Sequence, residues 1–142
     1  EKKLINGMLL TGDMGYKDSD GYLYIKGRLD NMIIKNGINI YPSEIEKILN
    51  KNQHISESFV SGYKNKNGSV KIRYNIVLNN HLNIDILKNK VFEYIKNNIP
   101  IPFLPDDIIF TDSIEKTKSG KIIRGKVNDW KRIQISCVIP RL

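Results

Sequence analysis

Nine residues in the middle of the chain constrain its fold most. From Val70 to Leu78 the residues alternate between apolar and polar, with Ile72, Tyr74 and Ile76 completing the apolar set. Successive side chains of a β-strand point to opposite faces of a sheet. The pattern therefore predicts a strand with one buried face and one face in water. Its apolar side must be covered, so we expect helices packed on this sheet.

Three other segments predict those helices. Tyr41-Pro42-Ser43-Glu44 begins the first, because proline in the first turn followed by Glu suits the positive start of a helix. Its apolar face consists of Ile45, Ile48 and Leu49. Asn83 can cap a second helix that ends before Pro100 and Pro102. The apolar stripe of this helix is predicted to be Ile84, Leu87, Val91 and Ile95. A third helix is predicted over residues 122–130.

Further strands are predicted over residues 55–61 and 108–110. Residues 22–25 are expected to form a hairpin with residues 31–35, and Asn36-Gly37 is a strong turn dipeptide because glycine accepts positive φ. The order of elements predicts an α+β fold. It is a small mixed sheet of about three main strands plus a hairpin, with helices packed on it. Residues 1–29 hold too little apolar material to fold alone.

Length and composition exclude several classes. A chain of 142 residues holds at most one full domain. Cys137 has no cysteine partner, and His54 and His81 are the only histidines, so neither a disulfide scaffold nor a resident metal site is expected. No apolar run reaches the ~18–20 residues that a membrane span needs. The start of the chain does not resemble a signal peptide, so a cytoplasmic protein is expected.

The charge allows two interpretations. The chain has 23 Lys and Arg against 15 Asp and Glu, for a net charge of +8. This could mark a basic module that binds RNA or another anion, with Lys71 and Arg73 on the wet face of the central strand. No stretch interleaves aromatic and basic residues as RNA-binding motifs do. The abundance of Ile, Lys and Asn instead indicates a genome-wide codon bias, so nucleic acid is not the expected partner.

Three short segments combine glycine, charge and turn residues. In Thr11-Gly12-Asp13, a carboxylate on a tight turn could accept hydrogen bonds from a diol. In the segment from Gly27 to Glu46, Arg28 could hold an anion. In residues 118–121 (KSGK), flexible glycine beside lysine suits phosphate, although this is not a Walker A loop. Taken singly, each is also compatible with an ordinary turn, a capped hairpin or a solvated loop.

Taken together, the three segments resemble the adenylate-forming superfamily, which contains acyl- and aryl-CoA synthetases, adenylation domains of peptide synthetases, and luciferases. The segments that carry the resemblance are residues 7–16 (GMLLTGDMGY), 20–34 (DGYLYIKGRLDNMII), 39–46 (NIYPSEIE) and 119–124 (SGKIIR). The resemblance covers residues 7–127. It implies that Asp13 binds the ribose hydroxyls of ATP and of the acyl-adenylate, that Arg28 lies beside the same ribose, and that Lys121 is the catalytic lysine.

The resemblance also implies a domain arrangement. Residues 1–29 would be the end of a large AMP-binding domain, Asp30 the hinge, residues 31–130 the C-terminal lid, and residues 131–142 an unassigned tail. Asn36 and Gly37 would line the pantetheine channel. The family often has glycine at the position of Asn36, and Asn tolerates positive φ better than most residues.

The implied substrates are ATP, a carboxylic acid and CoA, with AMP and an acyl-CoA thioester among the products. Mg²⁺ would accompany ATP, with no ligand supplied by this chain. The partner would be a large domain upstream, without which the chain is not expected to adenylate. The wording of residues 39–46 favours a CoA synthetase over an enzyme that loads a carrier protein, which remains the alternative.

Overall fold

The computed structural model describes residues 3–5, 7–79 and 83–123. The first four strands are β1 (Lys3–Ile5), β2 (Met8–Leu10), β3 (Asp13–Lys17) and β4 (Leu23–Arg28). They are followed by β5 (Ile33–Lys35), β6 (Ile38–Ile40) and helix α1 (Pro42–Leu49). The remaining elements are β7 (Ile55–Lys64), β8 (Val70–Leu78), helix α2 (Ile84–Asn98) and β9 (Asp107–Phe110). Short 3₁₀ turns occupy Leu29–Asn31 and Ile101–Phe103.

The main sheet has three strands in the order β7-β8-β9. The β7–β8 pair is antiparallel, whereas β8 and β9 run parallel and are connected through α2. The predicted α+β fold with a small mixed sheet is therefore confirmed. The predicted apolar face of β8 is confirmed, because Ile72, Tyr74 and Ile76 are fully buried. The prediction that its other face lies in water is wrong, because Asn75 is also buried and its amide donates to the Phe59 carbonyl.

Both helices bury an apolar face against this sheet. Helix α1 contributes Ile45 and Leu49, and α2 contributes Leu87, Val91 and Ile95. Pro42 opens α1 as predicted, and the Asn83 side chain accepts a hydrogen bond from the Asp85 N–H at the start of α2. The two helices are linked by the Tyr94 hydroxyl, which donates to the Ile48 carbonyl at 2.9 Å. Ile84 is 55% exposed, so its predicted place in the buried stripe is wrong.

The predicted pairing of residues 22–25 with residues 31–35 is wrong. Strand β4 pairs with β3, and β5 pairs with β6. The β5–β6 connection is the two-residue turn Asn36-Gly37, with φ of 52° and 78°. Two positive φ values in a two-residue loop match the twist of antiparallel strands, which explains why Asn-Gly selects the nearest strand as partner.

The C-terminal prediction is only partly covered by the described residues. Ile122 forms an isolated antiparallel bridge with Lys116, and the Ile123 N–H donates to the Glu115 carbonyl at 3.0 Å. A helix therefore does not begin at Ile122. The rest of the predicted helix over residues 122–130, the tail of residues 131–142, His81, Arg124 and Cys137 lie outside the described residues.

Candidate active site

Arg28 is the centre of the first part of the site. It is the last residue of β4 and lies opposite Asp13 in the β3–β4 register. Its guanidinium NH1 lies 3.8 Å from Asp13 Oδ1 and donates to the Thr11 carbonyl at 3.2 Å. The pairing of two short strands thus places a cation beside the carboxylate of the predicted diol-binding turn.

Asp30 holds the other side of the guanidinium. Its Oδ2 accepts from Arg28 NH2 at 2.8 Å, and Asp30 lies in the 3₁₀ turn between β4 and β5. The hydrogen bond and charge of Arg28 hold the pKa of Asp30 below its usual range, and Asp30 in turn raises the pKa of Arg28. The predicted hinge residue is thus ion-paired to the predicted nucleotide-binding residue.

The turn before Asp13 is fitted closely around Arg28. The Leu29 N–H donates to the Gly12 carbonyl at 2.8 Å. A Cβ on Gly12 would lie 3.2 Å from Arg28 NH2, and Gly12 has a φ of +78°. The left-handed backbone favours glycine here, and a side chain at this position would also crowd the Arg28 guanidinium.

Lys121 lies on a second ordered turn. The Thr117 N–H donates to the Lys121 carbonyl at 2.8 Å, and the Lys121 N–H donates to Thr117 Oγ1 at 3.2 Å. Gly120 adopts a φ of 80° within this turn. At its base, Lys116 Nζ is paired with Glu57 Oε1 at 2.5 Å. Thr117, which closes the turn on both sides of Lys121, was not identified from the sequence.

Lys121 and Arg28 line one cavity of about 450 Å³. Its other lining residues are Gly27, Asn31, Tyr41, Pro42, Ser43 and Ile122. Among the described residues no carboxylate pairs with the Lys121 ammonium. Of the two cationic residues that line the cavity, Lys121 has no carboxylate partner among the described residues, whereas the Arg28 guanidinium is paired with Asp30 and lies 3.8 Å from Asp13. The Asp13 carboxylate can accept hydrogen bonds from hydroxyl groups.

The contact between β4 and α1 forms a wall of this cavity. The Ser43 hydroxyl donates to the Lys26 carbonyl at 2.5 Å, and a Cβ on Gly27 would lie only 2.6 Å from Ser43 Oγ. The Lys26 ammonium lies 5.5 Å and 5.9 Å from the ring centroids of Tyr16 and Tyr41, a cation–π arrangement. Sequence analysis missed Ser43, because a serine in the first turn of a helix is normally explained by the helix itself.

The structure does not bring the Asn36-Gly37 turn into this cavity. Both residues are exposed at the tip of the β5–β6 hairpin. A Cβ on Gly37 would meet no atom within 4 Å, so the positive φ alone favours glycine. The described chain thus presents two separate candidate surfaces, the Arg28–Lys121 cavity and the hairpin tip.

The predicted basic face of β8 is wrong as an exposed anion-binding surface. The Lys71 and Arg73 side chains are only 24% and 20% exposed, and each pairs at 3.0 Å with a carboxylate, Asp106 and Asp107 respectively. A carboxylate already occupies the position that a phosphate of CoA or RNA would take. The net charge of +8 is therefore not concentrated on this strand.

The described residues contain no group of three or more His, Cys, Asp or Glu side chains that could hold a metal ion. Within the same residues, neither helix has the length and apolar character that crossing a membrane requires.

Known proteins with similar sequences are acyl- and aryl-CoA ligases. The chain is 31% identical over 133 residues to a 2-succinylbenzoate–CoA ligase of Bacillus subtilis, covering 93% of this chain and 26% of that protein. It is 32% identical over 136 residues to a long-chain-fatty-acid–CoA ligase of Mycobacterium tuberculosis, covering 96% of this chain and 26% of that protein. The chain thus spans about a quarter of the length of the curated relatives it matches.

Solved structures of a CoA synthetase and of an amide bond synthetase also match the chain. The o-succinylbenzoate CoA synthetase of Bacillus subtilis in complex with its acyl-adenylate intermediate matches with a TM-score of 0.78 and 29% identity, over 92% of this chain and 26% of that chain. The amide bond synthetase of Marinactinospora thermotolerans matches with a TM-score of 0.75 and 26% identity, over 91% of this chain and 26% of that chain. The family model described as the AMP-binding enzyme C-terminal domain matches residues 44–121. Since that match covers more than half of the chain, the protein belongs to the AMP-binding enzyme C-terminal domain family.

Proposed function

We propose that this chain is the C-terminal part of a ligase that activates a carboxylic acid with ATP and transfers the acyl group to the thiol of CoA. One observation carries the proposal: Lys121 and Arg28, distant in sequence, line one cavity, and Arg28 lies 3.8 Å from Asp13. The names of the relatives supply the reaction class, because they are CoA ligases acting on aryl or fatty acids.

In the first half-reaction, the carboxylate attacks the α-phosphorus of ATP and pyrophosphate leaves. Negative charge builds on the phosphoryl oxygens and on the bridging oxygen. A lysine on an ordered turn can orient the two reactants and offset that charge. We assign this role to Lys121, while Asp13 accepts hydrogen bonds from the ribose hydroxyls and Arg28 lies beside the same ribose.

In the second half-reaction, the thiol of CoA attacks the acyl carbon and AMP leaves. The Lys121 turn must withdraw to admit the thiol, and the Asn36-Gly37 turn must take its place at the reacting centre. Rotation of residues 31–130 about Asp30 achieves both changes in one movement. Breaking the exposed Arg28–Asp30 pair is compatible with such a movement, since exposed ion pairs contribute little to stability.

Residues 1–29 would then belong to the large domain. Their apolar side chains support this assignment, because Leu4, Met8, Tyr22 and Leu23 are 67–71% exposed. Large apolar side chains exposed in both the β1–β2 and the β3–β4 hairpins are typical of a surface that contacts other protein. We infer that the large domain covers it and provides the acyl pocket and the remaining ATP contacts.

CoA is the acceptor that the relatives favour, and a carrier-protein pantetheine is the alternative. ATP would arrive with Mg²⁺, as a related structure holds both.

The test uses the intact ligase with Lys121→Ala and, as a matched control on the same turn, Lys118→Ala. Lys118 is exposed and does not line the cavity. Acyl-adenylate formation is measured by carboxylate-dependent pyrophosphate exchange, and thioester formation from supplied acyl-adenylate and CoA. We expect Lys121→Ala to lower the first on the order of 100- to 1,000-fold and to spare the second.

Equal loss of both half-reactions in Lys121→Ala would show that the assigned role is wrong. The same loss in Lys118→Ala would point to general disturbance of the turn. Absence of carboxylate-dependent exchange in the wild-type ligase, across aryl and fatty acids, would overturn the proposed function. Supplying a pantetheine-loaded carrier protein in place of CoA separates the two acceptors.

A further inference from the structure

Asp106 joins three elements of the fold. Asp106 immediately precedes β9, and its Oδ2 accepts hydrogen bonds from the Ile72 N–H at 2.8 Å and from Lys35 Nζ at 2.6 Å. Its Oδ1 accepts from Lys71 Nζ at 3.0 Å. Ile72 and Lys71 belong to the central strand, whereas Lys35 belongs to the β5–β6 hairpin. One carboxylate therefore ties the hairpin to the sheet.

This cluster is shielded from water more than an ordinary surface ion pair. The side chains of Asp106, Lys35 and Lys71 are only 21%, 17% and 24% exposed. Burial acts to raise the pKa of Asp106, but the hydrogen bonds from Lys35, the Ile72 backbone and Lys71 outweigh it and hold the pKa below its usual range. At neutral pH Asp106 is therefore ionised, and both of its carboxylate oxygens accept hydrogen bonds.

The hairpin needs such an anchor at its tip. Strands β5 and β6 share only three residue pairs, and an isolated two-stranded hairpin is marginally stable in water. Ile33, 7% exposed, fixes its base in the core, whereas Ile34 and Ile38, near the tip, are 55% and 40% exposed. Lys35 is the last residue of β5 and directly precedes Asn36-Gly37.

We propose that Asp106 is a positioning residue for the thioester half-reaction, acting through Lys35 to hold the Asn36-Gly37 turn in one place on the rotating lid. This inference rests on the proposed function, because it assigns the turn to the thiol channel. A fixed turn matters because an error on the order of 1 Å in a reacting geometry can cost about 100-fold in rate.

The test compares Asp106→Asn with Asp107→Asn in the intact ligase. Asp107 is the neighbouring carboxylate and accepts from Tyr63 and Arg73, and among the described residues it makes no hydrogen bond or ion pair with the hairpin. We expect Asp106→Asn to lower the ratio of thioester formation to acyl-adenylate formation about 10-fold or more. The loss should appear in the reaction of supplied acyl-adenylate with CoA. Asp107→Asn should leave the ratio within about 2-fold.

A second pair of variants tests the same contact without touching Asp106. Lys35→Met removes the link to the hairpin and keeps the contacts of Asp106 with β8, so it should reproduce the altered ratio even if Asp106→Asn folds poorly. Lys71→Met removes the other lysine and keeps the hairpin link, so the ratio should stay near the wild-type value. The ratio in the double variant Lys35→Met/Asp106→Asn should fall little below that of Lys35→Met, because both changes break the same Lys35–Asp106 contact.

Amide hydrogen exchange over residues 33–40 measures the anchoring independently of activity. Exchange there should accelerate in Asp106→Asn and Lys35→Met and remain slow in Asp107→Asn. An unchanged half-reaction ratio in Lys35→Met, or equal losses in the Asp106 and Asp107 variants, would overturn the positioning role. An inactive wild-type ligase with accelerated exchange in Lys35→Met would instead refute the proposed function while confirming the anchor.

Discussion

Gly62 offers the sharpest test of how the β5–β6 hairpin packs on the sheet. A Cβ at Gly62 would lie 3.0 Å from both Cγ1 and Cγ2 of Ile33 and 3.4 Å from its Cδ1. Carbon atoms prefer about 3.5–4.0 Å, and Ile33 is 7% exposed and has little room to move. Gly62 has no positive φ, so the expected cost of Gly62→Ala comes from crowding.

The magnitude follows from two opposing effects. Adding a methyl group to a packed site costs about 1–3 kcal/mol. Replacing glycine by alanine at a compatible φ returns about 0.4–1 kcal/mol through the unfolded chain. We therefore expect Gly62→Ala to lower the free energy of unfolding by about 0–2.6 kcal/mol, measured by urea denaturation followed by circular dichroism.

A double-mutant cycle with Ile33→Ala isolates the crowding. Ile33→Ala should itself cost about 2–5 kcal/mol, and it removes every Ile33 atom that the new Cβ meets. In that background the crowding is gone, so Gly62→Ala should raise the free energy of unfolding by about 0.4–1 kcal/mol. Gly68→Ala is the control, because Gly68 has a φ of +77° with no atom within 4 Å of a Cβ. Its cost of about 1–2 kcal/mol should be the same in both backgrounds.

Additivity of Gly62→Ala and Ile33→Ala within about 0.5 kcal/mol would refute this explanation. So would a stabilising effect of Gly62→Ala alone.

Two further predictions concern the candidate cavity and the Asp106 cluster. Ser43→Ala removes the hydrogen bond to the Lys26 carbonyl that joins α1 to β4. Acyl-adenylate formation by the intact ligase should therefore fall about 3- to 10-fold, whereas thioester formation from supplied acyl-adenylate should not change. An equal fall in both half-reactions would contradict this prediction. The pKa of Asp106 is lower in the folded protein than in the unfolded chain, so its stabilising contribution is complete above the unfolded pKa of about 3.9 and is lost as the pH falls through the folded pKa. Urea denaturation across this acidic range should show a shallower loss of stability in Asp106→Asn than in the wild type, and identical slopes would contradict the prediction.

Local sequence patterns determined most of the elements. The alternation over Val70–Leu78 and the apolar spacing in α1 and α2 report which side of an element is buried, because strand and helix periods are fixed by backbone geometry. Asn36-Gly37 predicted its turn because few residues accept two successive positive φ values. The order of short motifs identified Asp13, Arg28, Asp30 and Lys121 as candidates before any fold was known.

Tertiary structure alone decided which partners these residues meet. Periodicity placed Lys71 and Arg73 on one face of β8, but only the return of the chain through α2 to β9 places Asp106 and Asp107 against them. The same holds for Lys121 and Arg28, which share a cavity because a late turn folds back onto the end of β4. A sequence pattern predicts whether a side chain is buried or exposed, whereas an ion pair or a cavity depends on how separate elements pack. For this protein, the sequence by itself determined the elements and the candidate residues, and packing decided which charges remain available for a ligand.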